Sequence, residues 1–200
     1  MKDASLFRSV LGADFGRLAT ALQRHYDLLP GQCIVVQGTM MSWLRFGALR
    51  LFIPFAPINS DHVQVRVLNS GVRDTQGQIC YRWEREFRYP NMTQKTETLT
   101  KPAGIASAQP IVIDTFSQPP AAITLKLSIE ENGRVLKQVA DGPQYAVFGK
   151  TRIALPNFMQ LSTTALERAL SDQIIYTEVA ISHPLLGRLF GYAGELTITN

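Results

Sequence analysis

The sequence predicts a mainly β (α+β) domain: a curved antiparallel sheet or half-open barrel of roughly eight strands, with N-terminal helices and a lid-like helix. Three observations predict it. Apolar and polar residues alternate at period two in repeated runs from residue 61 to about 154. The N-terminal seventh of the chain carries helical spacing. No helical pattern of ~10 to 15 residues separates the later strands, which disfavours βαβ units and a parallel sheet.

Ser5 to Leu11 and Asp14 to Leu29 carry apolar residues at helical spacing: Leu6, Val10 and Leu11, then Phe15, Leu18, Ala19, Leu22 and Tyr26. Gly12 separates the two, Asp14 suits a cap, and Pro30-Gly31 is a stop. Residues 1–30 therefore read as a helical N-terminus and 31–200 as mainly antiparallel β, a single domain over 1–200. Cys33 to Gly38 is a β-branched run and reads as one strand. Met41 to Phe55 is apolar nearly all round except at Arg45 and Arg50, and Pro54 and Pro57 close it. This pattern predicts a helix, with three readings: core, lid over a cavity, or interfacial membrane contact.

Val63, Val65 and Val67 alternate with Gln64 and Arg66, Ile79 to Tyr89 alternates throughout, and Ile123, Leu125, Leu127 and Ile129 alternate with polar partners. These apolar residues are expected to be buried in one contiguous antiparallel sheet over 61–140. Asn132-Gly133 predicts a tight hairpin into Val135 to Ala140. Gln76-Gly77 and Asp141-Gly142-Pro143 read as turns, and Lys101 to Ala108 and Pro119-Pro120 as looser connections. Tyr145 to Leu155 reads as a strand, Thr163 to Leu170 as a short helix capped by Ser162 or Thr163, and Ile174 to Ile181 and Gly194 to Thr199 as strands.

Composition narrows the function classes. With 46% hydrophobic and 18% charged residues the chain is neither disordered nor, lacking an apolar run of ~18 residues, a helical membrane protein. A net charge of +4 without a dense Lys/Arg block does not predict nucleic acid as partner. The N-terminus shows a charge but no apolar h-region, so the expected location is cytoplasmic. Cys33 and Cys80, in strand-like contexts, are expected to be free thiols.

Nucleotide-binding glycine loops, the Gly-x-Ser-x-Gly elbow and His-Glu-x-x-His are absent. His25, His62 and His183 lie far apart and form no ligand-spaced pair, so no metal and no cofactor are expected. No acid/base pair can be located, which leaves catalysis open.

One strand stands out. Alternation places Tyr81, Trp83, Arg85, Phe87 and Tyr89 on one face of Ile79 to Tyr89. A guanidinium among aromatic rings needs a carboxylate, backbone carbonyls, a cation-π partner such as Trp83, or a ligand anion. Alternatively it sits at an edge and reaches solvent. Glu178, sharing a face with Ile174, Tyr176 and Ala180, is a candidate partner for Arg85; it equally suits the solvent face, because Ile175, Val179 and Ile181 make the other face more apolar.

The string His183-Pro184-Leu185-Leu186-Gly187-Arg188-Leu189-Phe190-Gly191-Tyr192-Ala193-Gly194-Glu195-Leu196 resembles the closing motif of the bacterial domain of unknown function family 4166. The opening Leu6 to Gly12 through His25, Trp83-x-Arg85-x-Phe87 and Leu155-Pro156 resemble the same family, in the same order. The resemblance brings no activity with it. It implies a second reading, since family members occur alone and joined to reductase-like nucleotide-binding domains: a structural or interaction module for a reductase-like partner. Within the closing motif, His183 reads either as a corner residue bonded to backbone or as a site residue.

The first reading drawn from the residues is a binding module for an apolar or lipid-like small molecule with an anionic end. Its ligand would occupy the concave sheet face, with Trp83, Arg85, Phe87, Tyr81, Glu178 and His183 as candidate ligand-binding residues and no metal.

Overall fold

A computed structural model describes residues 4–51, 53, 56–103, 110–117, 120–149 and 151–199. Two short helices open the chain, α1 (Leu6–Leu11) and α2 (Thr20–Tyr26), joined by a 3-10 turn over Gly12–Arg17. Ser5 caps α1 by accepting from the Arg8 amide. The expected long helix from Asp14 is thus divided: Asp14 sits inside the 3-10 turn, and the extended backbone of Leu18 and Ala19 precedes α2.

Among the described residues eleven strands follow: β1 (Cys33–Leu44), β2 (Ser60–Arg73), β3 (Ile79–Tyr89), β4 (Met92–Pro102), β5 (Ile111–Ser117), β6 (Pro120–Glu130), β7 (Val135–Phe148), β8 (Thr151–Ala154), β9 (Ser162–Ala169), β10 (Ile174–His183) and β11 (Gly187–Thr199). Every pairing between these strands is antiparallel. The ladder runs β1 through β7, then β9, β10 and β11, and returns to β1, so ten strands close a barrel and β8 is a flap on β7. The half-open sheet of the sequence reading is corrected to a closed barrel. Closure removes the free edges an open sheet would expose, and it comes from two segments read as helices.

The first is Thr163 to Leu170. Ala, Leu, Glu and Arg give it high helix propensity, yet it is β9, hydrogen-bonded to β7 on one side and β10 on the other. Tertiary pairing overrides propensity here. The second is Met41 to Phe55. Its start continues β1 as far as Leu44, which faces Phe190 in β11, and only Gly47–Leu51 coils, as a 3-10 turn. Phe52, Pro54 and Phe55 of that expected helix lie outside the described residues, as do 104–108 and Pro119 of the looser connections.

Two turn signals resolve differently. Asn132-Gly133 does connect β6 to β7, but through the four residues 131–134, with Glu131, Asn132 and Gly133 all at positive φ. Asp141-Gly142-Pro143 is a bulge within β7: Ile123 faces Gln144 and Leu125 faces Ala140, so three residues oppose Thr124. The run from 61 to 140 is one contiguous antiparallel sheet, with Val63, Val65, Val67, Ile123, Leu125 and Leu127 buried and Ile129 half-buried.

The barrel has unlike ends. At one, α1 and α2 form a plug: Phe7, Phe15, Leu22 and Tyr26 are fully buried, and the Ala19 amide donates to the Gly133 carbonyl at 2.9 Å. The other end is the mouth, crossed by the β1–β2 connection, the β3–β4 and β10–β11 turns, and the β7–β8 hairpin. The outer face of β3 carries Arg82, Glu84, Glu86 and Arg88, and Glu86 and Glu97 pair with Lys95 and Arg82. Apolar inside and charged outside is the polarity of a barrel standing in water, opposite to a lipid-embedded one. Among the described residues no helix is long and apolar enough to cross a membrane. Cys33 is exposed and Cys80 buried, and both are free.

Candidate functional site: a cavity inside the barrel

The inward side chains do not fill the barrel. They leave a cavity of about 320 Å³ walled by Val36, Val65, Val67, Ile123, Leu125 and Leu196, and it extends to Ile53, Met159 and Leu161 at the mouth. That volume lies within the range of small-molecule sites. At the mouth the wall has a seam, because β8 takes the place of β9 along the edge of β7. The side-chain amide of Gln144 bridges it, donating to the Leu161 carbonyl and accepting from the Leu161 amide.

Arg85 faces this cavity from β3. Its Nη1 donates to Thr98 Oγ1 at 2.9 Å, and its guanidinium carbon lies 4.9 Å from the Trp83 ring centroid. Among the described residues no carboxylate stands within ion-pair distance of it. Behind it runs a buried relay: Trp83 Nε1 donates to Thr100 Oγ1 at 2.9 Å, and that hydroxyl donates to Asp114 Oδ1 at 2.6 Å. Burial pushes the Asp114 carboxyl above its ordinary range, against the Thr100 hydrogen bond and the Arg85 charge.

The opposite wall is acidic. Four strands separate β3 from β9 in either direction, and Glu167 projects inward from β9 with its Oε2 3.4 Å from His25 Nε2. Glu167 Oε2 and the hydroxyl of Thr177, its cross-strand neighbour, are buried and make no hydrogen bond within the protein. Gln138 Nε2 donates to the Tyr26 hydroxyl at 3.1 Å beside them. Burial lowers the His25 pKa despite the Glu167 charge, and burial followed by that charge raises Tyr26 well above its ordinary value.

His25 therefore links stability to pH. The folded-state pKa is depressed, so the unfolded chain takes up the proton first; stability is complete about one unit above pH 6.5 and declines as pH falls through it. The denaturation midpoint of the wild type should drop between about pH 7.5 and 5, and His25→Asn should drop less. This variant keeps the backbone carbonyl that accepts from the Tyr81 hydroxyl. Equal pH profiles would contradict the assignment. Asp27, held low by Arg8, titrates in a more acidic window and does not interfere.

Residues 18–196 match the family described as Domain of unknown function (DUF4166). The chain belongs to this family. No curated protein and no solved structure matches it. In this DUF4166 barrel the segment His183 to Leu196 is the end of β10 and most of β11, the strand that closes the ring onto β1.

Of the residues expected at the site, Trp83, Arg85 and Phe87 line the DUF4166 cavity together. Tyr81 lies beneath it, packed on Phe7 and Trp83. Glu178 is on the outer face with Arg188, 3.3 Å away, so it is not the partner of Arg85. His183 sits at the β10–β11 turn, its ring nitrogens engaged with the Phe158 carbonyl and the Leu185 amide, a corner residue bonded to backbone.

The acid/base pair of the cavity escaped the sequence reading. His25 shares a helix face with Ala21 and Leu22, and that spacing was its signal. Glu167 was hidden by the helical reading of Thr163 to Leu170; as a strand, Thr163, Ala165, Glu167 and Ala169 share one face. Asp114 alternates with Val112 and Phe116 in β5. His25 and Glu167 stand at ion-pair distance, and among the described residues no Ser or Cys lines the cavity and no group of three metal-ligating side chains occurs.

Proposed function

We propose that the barrel is a binding module for an apolar or lipid-like small molecule with an anionic end, seated with its chain among the valines and leucines and its anion at Arg85. The carrying observation is a guanidinium that faces a 320 Å³ cavity, with a threonine hydroxyl and a tryptophan ring as its contacts. A half-buried cation with no carboxylate at ion-pair distance is incompletely solvated, and a ligand carboxylate or phosphate offsets that cost. Such a ligand enters through the mouth, where Ile53, Met159 and Leu161 are apolar. The free thiols of Cys33 and Cys80 support a reducing, cytoplasmic setting.

Titration with dodecanoate, an apolar chain with one carboxylate, tests the reading: one saturable site per chain is expected. No binding of any amphipathic anion would overturn it and leave a structural module of the kind that partners a reductase-like protein.

A further inference from the structure

The mouth of the barrel is apolar on its outside as well as its inside. Leu51 is 82% exposed, Leu185 81%, Phe158 66%, Phe148 65%, Ile153 54% and Phe46 40%. In a protein standing in water, scattered exposed leucines need no explanation. These six are not scattered. All belong to segments crossing one end of the barrel: the β1–β2 connection, the β7–β8 hairpin, the 3-10 turn Asn157–Met159 and the β10–β11 turn.

The segments are also fastened to one another. Arg45 Nη1 donates to the Leu186 carbonyl, His183 Nε2 meets the Phe158 carbonyl at 2.7 Å, and Leu44, Ala56, Leu189 and Phe190 form a small core under the rim. The apolar tips therefore stand on a braced platform. A concentration of exposed apolar side chains at one end of the barrel marks an interaction surface.

Charge names the partner. Among the described residues of the connections at the mouth, 45–51, 53, 56–59, 90–91, 149, 151–161 and 184–186, there is no Asp or Glu, and they carry Arg45, Arg50 and Arg152; the exposed Asp61 follows at the start of β2. The plugged end is mixed, with Asp14, Asp27, Asp74, Glu131 and Asp172 among its arginines. A second copy of the chain docked mouth to mouth would set arginine against arginine. Apolar tips whose connections carry arginines and no acid fit a surface that is anionic outside and apolar a few ångströms deeper, which is a membrane leaflet containing anionic lipids.

We infer that the mouth docks on anionic membrane surfaces, with Leu51 and Leu185 inserting between headgroups and Arg45 and Arg152 meeting lipid phosphates. Docking there sets the cavity opening against the leaflet. The inference does not require the cavity to bind anything, and the two are tested separately.

Co-sedimentation of the full chain is the test, with phosphatidylcholine vesicles containing phosphatidylglycerol compared with phosphatidylcholine alone. The wild type should bind the anionic vesicles at low salt, bind neutral ones far more weakly, and be released by high salt. Leu51→Asp with Leu185→Asp should weaken binding at least about tenfold. Arg152→Glu should weaken it at least about fivefold, the effect of one basic residue near an anionic surface. Both changes fall on exposed side chains, so the thermal melt should be that of the wild type. Arg85→Met should bind vesicles normally, which separates this inference from the ligand reading. No binding to either vesicle, equal binding to both, or wild-type binding by the double aspartate variant would overturn it. So would a solution dimer, seen by light scattering, that the double aspartate variant dissolves.

Discussion

Arg85→Met should leave the ligand-free protein within about 1 kcal/mol of the wild type while erasing the protection that dodecanoate confers. Methionine has a similar reach and fills the same space beside Trp83. The loss of a hydrogen bond to Thr98 and of a cation-π contact, about 1 kcal/mol each, is offset by no longer desolvating a guanidinium. Asp114, already raised by burial, is pushed further up when the nearby positive charge goes, which lessens the cost of leaving an anion there. For the wild type, dodecanoate at a hundredfold excess over its Kd should add about 2.7 kcal/mol to stability; the variant should gain almost nothing. Denaturant melts with and without dodecanoate read both effects. A loss of about 3 to 5 kcal/mol in the ligand-free variant would instead mark Arg85 as half of an internal ion pair.

Gly133→Ala should destabilise the fold by roughly 2 to 4 kcal/mol, through strain at a left-handed position and collision with backbone. Gly133 has φ of 93°, and a Cβ there would stand 1.8 Å from the Arg17 carbonyl oxygen. The neighbouring carbonyl of Gly133 itself holds the Ala19 amide, so a shift at this turn loosens the plug that carries His25 and Tyr26. A melt within about 0.5 kcal/mol of the wild type would show that the plug is not anchored at this turn.

The sequence displayed those parts of the fold that local periodicity controls. Ile79 to Tyr89 became β3 with the expected faces, because its inward aromatics and outward charges leave a single register that buries the right side. What stayed hidden was decided by partners distant in sequence. Thr163 to Leu170 has helical composition, and only the free edges of β7 and β10 make it a strand. Barrel closure depends on that strand, and so does the inward position of Glu167. Asp141-Gly142-Pro143 resembles a turn because bulges and turns use the same residues. At the site, the Arg85 wall was legible as one misplaced charge on an aromatic face, whereas the His25–Glu167 wall joins residues 142 positions apart and no local pattern connects them.

The most direct measurement is calorimetric titration of the wild-type chain with dodecanoate and, in parallel, dodecanol and acetate. Dodecanoate should bind at one site per chain, with a negative heat-capacity change from burial of its apolar tail. Dodecanol should bind at least about tenfold more weakly for want of the anion, and acetate not measurably for want of the chain. Equal affinity for dodecanoate and dodecanol would show that Arg85 recognises no anion, and no heat from either would show that the cavity takes no amphipathic ligand.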